Sequence, residues 1–481
     1  MKILLVAVNA RYTHMNPALY SIRAYSMVQA FPKNPCFEDA DLISDSPAEM
    51  EIAEYTINQY PRDVLRDIYR RQPDIIGFSC YIWNIAFIGE LLGDIKKVLP
   101  CVRVILGGPE VSYNPEDVLS RYPAVDNIIT GEGEKAWSEI TDHAERIIAG
   151  VPIPLDEIPF MYDNLDAFAN RMLYYETSRG CPFGCSYCLS SESRGVRFRS
   201  LKLVLPELQK FLDAKAMIVK FVDRTFNAKK EHAEAIWKYL KEHDNGVTTF
   251  HFEIEADLIT DEQIEFLRTV RKGLFQFEIG VQSTNGPTLR EVNRRAELFR
   301  IKHVVESLKD YMKVHVDLIA GLPFEDLEAF KKSFNEVYSW GTDELQLGFL
   351  KVLHGTQMER KASEYGMKWQ QAPPYEVLSN NWLSYADISE LKKIEEQLET
   401  FGNNEGFRHT MKKLLESYGT PWDMFADIAA HRSEGAISKA EKYELLRSMT
   451  GSDVLDEAMI HDLEGKEALR YWPKALRGKL Q

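Results

Sequence analysis

The amino-acid sequence predicts an α/β fold in three parts. These are an open parallel sheet over residues 1–150, a partial (β/α)6 barrel over 171–365 after a linker at 151–170, and a helical C-terminal domain over 366–481. Three observations carry this reading. Short apolar runs alternate with helix-like segments through the first part, and the same alternation resumes after residue 171. Beyond Gly366 the strand-like runs stop, and Leu, Glu and Lys recur at helical spacing.

In the first part, residues 2–9 (KILLVAVN), 74–80 (DIIGFSC), 103–108 (RVILGG) and 126–131 (DNIITG) read as strands, with a further strand at 41–46 and helices at 84–99 and 134–149. Open parallel sheets bind ligands beyond the carboxyl ends of their strands. Here those ends carry Asn9-Ala10-Arg11-Tyr12-Thr13-His14, Ser79-Cys80-Tyr81, Gly107-Gly108-Pro109-Glu110 and Gly131-Glu132-Gly133-Glu134. Small residues at several strand ends let a large group approach the backbone. The plain alternative is a flavodoxin-like sheet with no cofactor.

In the second part, strands are expected at 173–177, 218–223, 249–255, 276–282, 315–320 and 344–350, and helices at 203–214, 230–243, 261–271, 286–293, 298–311 and 325–339. The catalytic face of such a barrel lies at the strand carboxyl ends, where the sequence turns polar: Asp223-Arg224-Thr225-Phe226-Asn227, Glu255, Gln282-Ser283 and Gly321-Leu322-Pro323. Strand alternation leaves Glu253 on the same face as Glu255, one of the pair lying deeper. The C-terminal helices are expected at 388–401, 406–418, 421–431 and 438–450, and Trp369, Tyr375, Trp382 and Tyr385 near the entrance read as junction core.

Composition narrows the function classes. Lys and Arg number 58 against 73 Asp and Glu, a formal net charge of −15, which opposes a long nucleic-acid footprint. Hydrophobic residues at 45% and aromatics at 11% fit a globular chain. No uncharged apolar stretch reaches the roughly 18 residues of a membrane helix, and Lys2 leads into a strand instead of a signal sequence, so a soluble cytoplasmic protein without membrane contact is expected.

The chemistry concentrates in Ser178-Arg179-Gly180-Cys181-Pro182-Phe183-Gly184-Cys185-Ser186-Tyr187-Cys188, directly after the first barrel strand. Three thiolates on one short loop hold three irons of a [4Fe–4S] cluster and leave the fourth iron open to substrate or cosubstrate. Gly180 and Gly184 let the loop curl, and Tyr187 covers the cluster or leans on a flat cofactor. Such a site needs reducing, low-oxygen surroundings. Cys36, Cys80 and Cys101 show no disulfide spacing. A structural zinc site, which wants a fourth Cys or His ligand, and three unrelated thiols are the competing readings.

The Cys-x3-Cys-x2-Cys loop resembles the signature of the radical S-adenosylmethionine (radical SAM) superfamily. The Gly-Gly and Gly-Glu-Gly-Glu strand ends, with Ser79 between them, resemble the Rossmann-like cobalamin-binding domain that precedes many radical SAM barrels. Asn-Ala-x-Tyr-x-His, Asp-Arg-Thr-Phe-Asn and Leu-x-x-Leu-x-Gly-Thr together look like a subgroup whose substrates are mostly unassigned. The resemblance implies a [4Fe–4S] cluster, S-adenosylmethionine and cobalamin as cofactors, with Cys181, Cys185 and Cys188 as iron ligands. Corrin contacts would come from Asn9, Arg11, Tyr12, Thr13, Ser79, Tyr81, Gly107, Gly108, Pro109, Glu110, Gly131, Glu132 and Gly133. The family's Asp-x-His-x-x-Gly sequence is absent, leaving His14 as the nearby imidazole, and the family's Gly-Gly-Glu is missing after the second barrel strand. Asp223 and Asn227, with Arg224 beside them, would receive the amino end of S-adenosylmethionine. Glu255, Gln282 and Ser283 would hold its ribose, and Gly321, Leu322 and the Leu350 main chain its adenine. The implied activity is radical methylation of an unactivated carbon of a small molecule, served by an external electron donor of flavodoxin or ferredoxin type. Cobalamin-dependent rearrangement, cyclisation or reduction, a non-catalytic corrinoid or electron-transfer protein, and a tRNA-modifying enzyme are the rivals.

Overall fold

The computed structural model describes residues 1–30, 49–140, 144–192, 195–432, 435, 437–451, 453–468 and 472–477. Its first layer is a parallel sheet of β1 (Lys2–Asn9), β2 (Glu49–Thr56), β3 (Ile75–Ser79), β4 (Arg103–Gly107), β5 (Asn127–Thr130) and β6 (Ile147–Ala149), in the order β2-β1-β3-β4-β5-β6. β1 is buried at every residue after Lys2, as a strand covered on both faces must be. Val64, Ile68, Ile88 and Leu91 from helices Pro61–Arg71 and Ile85–Val98 cover one face, and Leu19, Ala136 and Trp137 from helices Pro17–Ala30 and Gly133–Ser138 cover the other.

Two expectations for this part change. The helix expected over 134–149 ends at Ser138, and Ile147–Ala149 is an edge strand paired with β5, Ile128 opposite Ile147. Its apolar run Ile147-Ile148-Ala149 suits a helix face equally well until a partner strand is known. The strand expected at 41–46 lies outside the described residues, as does Cys36; the strand found beside β1 is β2, whose sequence EMEIAEYT half-exposes one face.

Residues 151–170 lead into the second sheet, with Ile153, Leu155 and Ile158 packed on Tyr25, and Tyr162 and Phe168 in the main core. β7 (Met172–Tyr175) is followed by a short antiparallel ribbon, β8 (Ser178–Cys181) and β9 (Gly195–Phe198). Then come β10 (Ile218–Phe221), β11 (Thr249–Ile254), β12 (Phe275–Gln282), β13 (Lys313–Ala320) and β14 (Glu344–Phe349). The order β14-β13-β12-β11-β10-β7, all parallel, leaves β7 and β14 as edges, so the barrel is open between them.

The outward residues of β12 and β13, such as Phe275, Phe277, Val314 and Val316, are buried against the surrounding helices. The C-terminal helices Tyr385–Gln397, Arg408–Leu415, Pro421–His431, Lys439–Ser448 and Asp456–Leu463 share that core, Phe334 meeting Trp422 and Phe425 edge-on at 5.6 and 5.9 Å. Capping boxes at Ser384/Asp387 and Ser438/Glu441 set two of their starts. Of the junction aromatics, Tyr375 is buried and Trp382 lies 4.6 Å from Phe324, whereas Tyr385 is exposed. Among the described residues no helix is long and apolar enough to cross a membrane.

Candidate functional site

A cavity of about 1020 Å³ lies between the strand ends of the first sheet and the start of the barrel. That is at the upper end of ordinary ligand pockets, about 300–1,000 Å³. From the first sheet it is lined by Asn9, His14, Tyr81, Trp83, Gly108, Pro109, Gly131, Glu132 and Gly133, and from the cluster-loop side by Ser178, Arg179, Gly180, Leu189 and Arg224. Gly108 is in the left-handed region (φ 108°), and a Cβ there would sit 2.5 Å from the Cys80 carbonyl oxygen, so only glycine lets this strand end close over β3. Tyr81 and Trp83 stack at 4.3 Å and 7°, a flat aromatic wall that the sequence reading missed at Trp83.

The expected corrin contacts divide. Asn9, His14, Tyr81, Gly108, Pro109, Gly131, Glu132 and Gly133 line the cavity. Arg11, Tyr12 and Thr13 do not: they are exposed on the outer side of their loop, Tyr12 beneath the Arg171 guanidinium at 5.7 Å. Ser79 is buried below the wall and accepts a hydrogen bond from Asn16 Nδ2 at 2.7 Å. Gly107 stays within β4, and Glu110 accepts the hydroxyl of Tyr375. Even Asn9 is tied to the protein, donating to the His14 carbonyl at 3.2 Å and Glu54 at 3.1 Å. His14 Nδ1 meets the Tyr174 hydroxyl, and burial, then Arg11 and Lys220, hold the imidazole below its usual range.

The cluster loop is pinned from several directions. Asn293 Nδ2 donates to the Gly184 carbonyl at 2.8 Å, the Ser186 amide to the Val292 carbonyl at 2.9 Å, and the Met358 amide to the Ser186 carbonyl at 2.8 Å. Gly180 has φ 101°, and a Cβ there would lie 2.1 Å from the Gly195 carbonyl of the paired β9 strand. Cys185 is buried while Cys181 and Cys188 are partly open, and Thr225 Oγ1 lies 3.4 Å from Cys181 Sγ. Burial raises the Cys185 thiol against the pull of the Arg294 charge and the Tyr187 hydroxyl.

Among the described residues no three His, Cys, Asp or Glu side chains converge on a single metal ion. Three thiols on a glycine-curled loop, with Cys80 sealed in the first sheet and Cys101 on the outer surface, fit a cluster with three protein ligands among the described residues.

Behind the loop, several expected S-adenosylmethionine contacts are engaged elsewhere. Asp223 is wholly buried and accepts the Thr177 amide at 2.9 Å and the Thr177 and Ser178 hydroxyls at 2.6 Å; burial pushes its carboxyl up to about 7 despite those bonds. It clamps the approach to the cysteines. Asn227 pairs both ways with the Glu255 main chain at 2.8 and 2.9 Å. Ser283 donates to Glu325 at 2.6 Å. The Leu350 amide donates to Ala320 and its carbonyl accepts from Val377, both at 2.9 Å, so its main chain is already paired. Gly321 (φ 94°) and buried Leu322 sit under Val377, and Asn380 donates to the Gly321 carbonyl at 2.9 Å.

Glu255 forms a two-pronged pair with Arg294, 2.8 Å on each prong, and burial pushes its carboxyl up to about 7 even so. Arg294 also reaches the Gly280 carbonyl and borders Cys185, joining barrel strands to cluster loop. Gln282, with φ 71° at a bulge of β12, has a buried Oε1 without a partner, and Arg224 lies on the cavity wall.

Comparisons agree with this layout. The B12 binding domain model matches residues 5–141, the Radical SAM superfamily model residues 175–337, and a model described as "Protein of unknown function (DUF4080)" residues 363–477. The chain is 24% identical to "Uncharacterized methyltransferase PH0819" of Pyrococcus horikoshii, across 80% of this chain and 87% of that protein. It is 22% identical to "Cobalamin-dependent radical SAM methyltransferase TokK" of Streptomyces tokunonensis across 62% of this chain, and spans 50% of that relative's length. In fold it is similar to the cobalamin-dependent S-adenosylmethionine radical enzyme OxsB, with a TM-score of 0.63 at 14% identity over 96% of this chain and 78% of that one. It is also similar to the radical S-adenosylmethionine methyltransferase TsrM of Kitasatospora setae, with a TM-score of 0.60 at 14% identity over 78% of each chain.

Proposed function

We propose that this chain, with its match to the B12 binding domain and to the Radical SAM superfamily model, is a cobalamin-dependent radical SAM enzyme that methylates an unactivated carbon of a small molecule. The observation that carries the reading is that the glycine-rich ends of the first sheet and the residues flanking the cysteine loop, Ser178–Gly180 before it and Leu189 after it, line one cavity. When bound, and given an electron through the cluster, one S-adenosylmethionine would supply the 5′-deoxyadenosyl radical that takes a hydrogen atom from the substrate, and cobalamin would supply the methyl group that replaces it, renewed from a second S-adenosylmethionine that leaves as S-adenosylhomocysteine.

Cys181, Cys185 and Cys188 would hold the cluster, and Tyr187 and Arg294 pack beside Cys185 and would keep water from that side. Gly108, Gly131 and Gly133 would admit a corrin against the main chain, and Tyr81 and Trp83 would offer it a flat aromatic wall. For S-adenosylmethionine, Gln282 offers its unpartnered interior carbonyl and Arg224 its charge, while the Glu255–Arg294 pair keeps the neighbouring strand ends in place and Asp223 fixes the loop above them. Holding reacting atoms together in a closed site is the protein's main contribution. The reductant is an external one-electron donor of flavodoxin or ferredoxin type, the setting an anaerobic cytoplasm, and nucleic acid is not the substrate.

Anaerobic turnover with a chemical reductant is the test. 5′-Deoxyadenosine, S-adenosylhomocysteine and a methylated product should accumulate together. A second reading draws on the chain's 24% identity to an "Anaerobic magnesium-protoporphyrin IX monomethyl ester cyclase" of Rubrivivax gelatinosus: radical cyclisation without methyl transfer, which would yield 5′-deoxyadenosine with no S-adenosylhomocysteine.

A further inference from the structure

The lumen of the barrel is not packed as a core. Closed (β/α) barrels fill their interior with Val, Ile and Leu. Here every strand contributes an inward polar side chain at mid-height: Tyr174 from β7, Lys220 from β10, His251 and Glu253 from β11, Gln276 and Glu278 from β12, His315 and Asp317 from β13, and Glu344 from β14.

Strand register puts them side by side, and they bond across strands: Lys220 Nζ to Glu278 at 2.9 Å and Glu253 at 3.6 Å, His251 Nε2 to Glu278 at 2.9 Å, His315 Nε2 to Glu344 at 3.1 Å and Gln276 at 3.2 Å. The layer is not sealed: Glu253, Glu278 and Glu344 keep 28, 24 and 32% of their side-chain exposure. Nor is it part of the strand-end site. Lys220 lies three residues before Asp223, and Glu253 two before Glu255, roughly 7–10 Å lower at the rise of a strand. It adjoins the large cavity, because Tyr174 and His14 line that cavity while Tyr174 is the register partner of Lys220.

Four carboxyl groups, Glu253, Glu278, Asp317 and Glu344, share the layer with Lys220, with Lys313 at the exposed foot of β13, and with two imidazoles, of which His315 is driven down to about 4 by burial and is neutral near pH 7. The Asp317 Oδ1 is shut off from solvent and has no hydrogen-bond partner. Burial, with Glu278 and Glu253 nearby, holds the Asp317 carboxyl well above its usual range. An unpartnered buried carboxyl costs stability unless something arrives to satisfy it.

We propose that this layer is a subsite for an organic cation, an ammonium or guanidinium group carried by the substrate, with Asp317 as its anchor. The proposal rests on the radical-enzyme reading above for the substrate's fate, and on the lumen alone for its charge. An arriving cation draws the proton off Asp317, and the chain of Lys220, Glu278 and His251 stays intact beside it.

Calorimetric titration of the full-length protein with n-butylamine and butylguanidine, against butyrate and n-butanol, tests this. The two cations should bind at least about tenfold more tightly than their neutral and anionic isosteres, releasing about one proton per site in buffers of different ionisation enthalpy. Asp317→Asn should weaken the cations about tenfold and abolish the proton release, and Glu253→Gln, at a water-touching position, about threefold. S-adenosylmethionine should not displace the amine.

Equal binding of butyrate or butanol, wild-type cation affinity in folded Asp317→Asn, or displacement by S-adenosylmethionine would overturn the proposal. Should Asp317→Asn fail to fold, the isostere comparison and Glu253→Gln decide it. Iron and corrinoid content on the same samples separates the two readings: intact loading without cation binding removes only the subsite, and cation binding without loading removes only the radical enzyme.

Discussion

Glu325 shows how one residue couples burial to pH. It has no solvent exposure, accepts the Ser283 and Ser333 hydroxyls at 2.6 and 3.0 Å, and leaves Oε2 unpartnered; burial pushes it up to about 7. A carboxyl raised in the folded state holds a proton that the unfolded chain has released. Its stabilising share is therefore complete below the unfolded value near 4.5 and is lost as pH rises to about 7. The loss is at most about 3 kcal/mol at 1.36 kcal/mol per pH unit. Denaturant midpoints should fall over that window in the wild type and stay flatter in Glu325→Gln; parallel profiles would show that Glu325 titrates normally. Replacing Cys181, Cys185 or Cys188 by Ala should each strip iron and the brown absorbance from an otherwise folded chain, as read by iron analysis beside circular dichroism. These cysteines were legible in the sequence because they share one loop, and a loop's spacing is visible before folding. Arg294 was not, since its partners Glu255, Gly280 and Cys185 come from other elements and meet it only in three dimensions. Nor were the partners of Asp223 and Asn227 legible: the Thr177 amide and the Thr177 and Ser178 hydroxyls bond to the first, and the Glu255 main chain to the second, across elements far apart in sequence.

Among elements, the β8–β9 ribbon carries the most demanding geometry. At φ 101°, Gly180 faces the Gly195 carbonyl so closely that an added Cβ would stand 2.1 Å away, against main chain that cannot swing aside. Gly180→Ala combines about 1–3 kcal/mol of backbone strain with that clash, so the ribbon should open at Cys181. The expected outcome is a melting temperature lowered by a few degrees and iron retention cut well below that of Gly195→Ala, where a Cβ meets nothing within 4 Å; equal losses would refute the clash. Strands of continuous apolar sequence, such as β1 and β3, could be placed from sequence to within a residue, because burial on both faces leaves one pattern. The half-exposed edge strands β2 and β6 could not, their alternation or shortness being compatible with loop or helix. Polar and apolar residues alternate along β12 and β13, but only closure around the lumen gives the polar ones one another as partners.

At the scale of the molecule, the first sheet and the barrel must be held in one orientation if both are to serve one cavity, and polar side chains share that holding, Arg179 among them. Arg179, two residues before Cys181, pairs with Glu132 at 2.9 Å and Glu134 at 2.8 Å, at the start of the helix that follows β5 of the first sheet, and with Glu176 at 2.7 Å on its own side. The Tyr375–Glu110 hydrogen bond makes a second tie, from the segment after the barrel. Glu134 is buried, and burial alone would raise its carboxyl; the Arg179 charge and hydrogen bonds reverse this and hold it below its usual range. Removing the arginine leaves that carboxylate buried and unpaired, a change that costs about 3–5 kcal/mol in such settings. Because the loss falls on the contact between the layers and on neither core, Arg179→Met should split a single unfolding transition into two, and corrinoid should elute from gel filtration apart from the protein. Arg179→Lys keeps the charge but reaches one carboxylate at a time, so it should restore part of the retention. A single wild-type transition and full corrinoid retention in Arg179→Met would mean that the other ties, Tyr375–Glu110 and Arg171–Glu54, together with apolar packing, hold the two layers without Arg179.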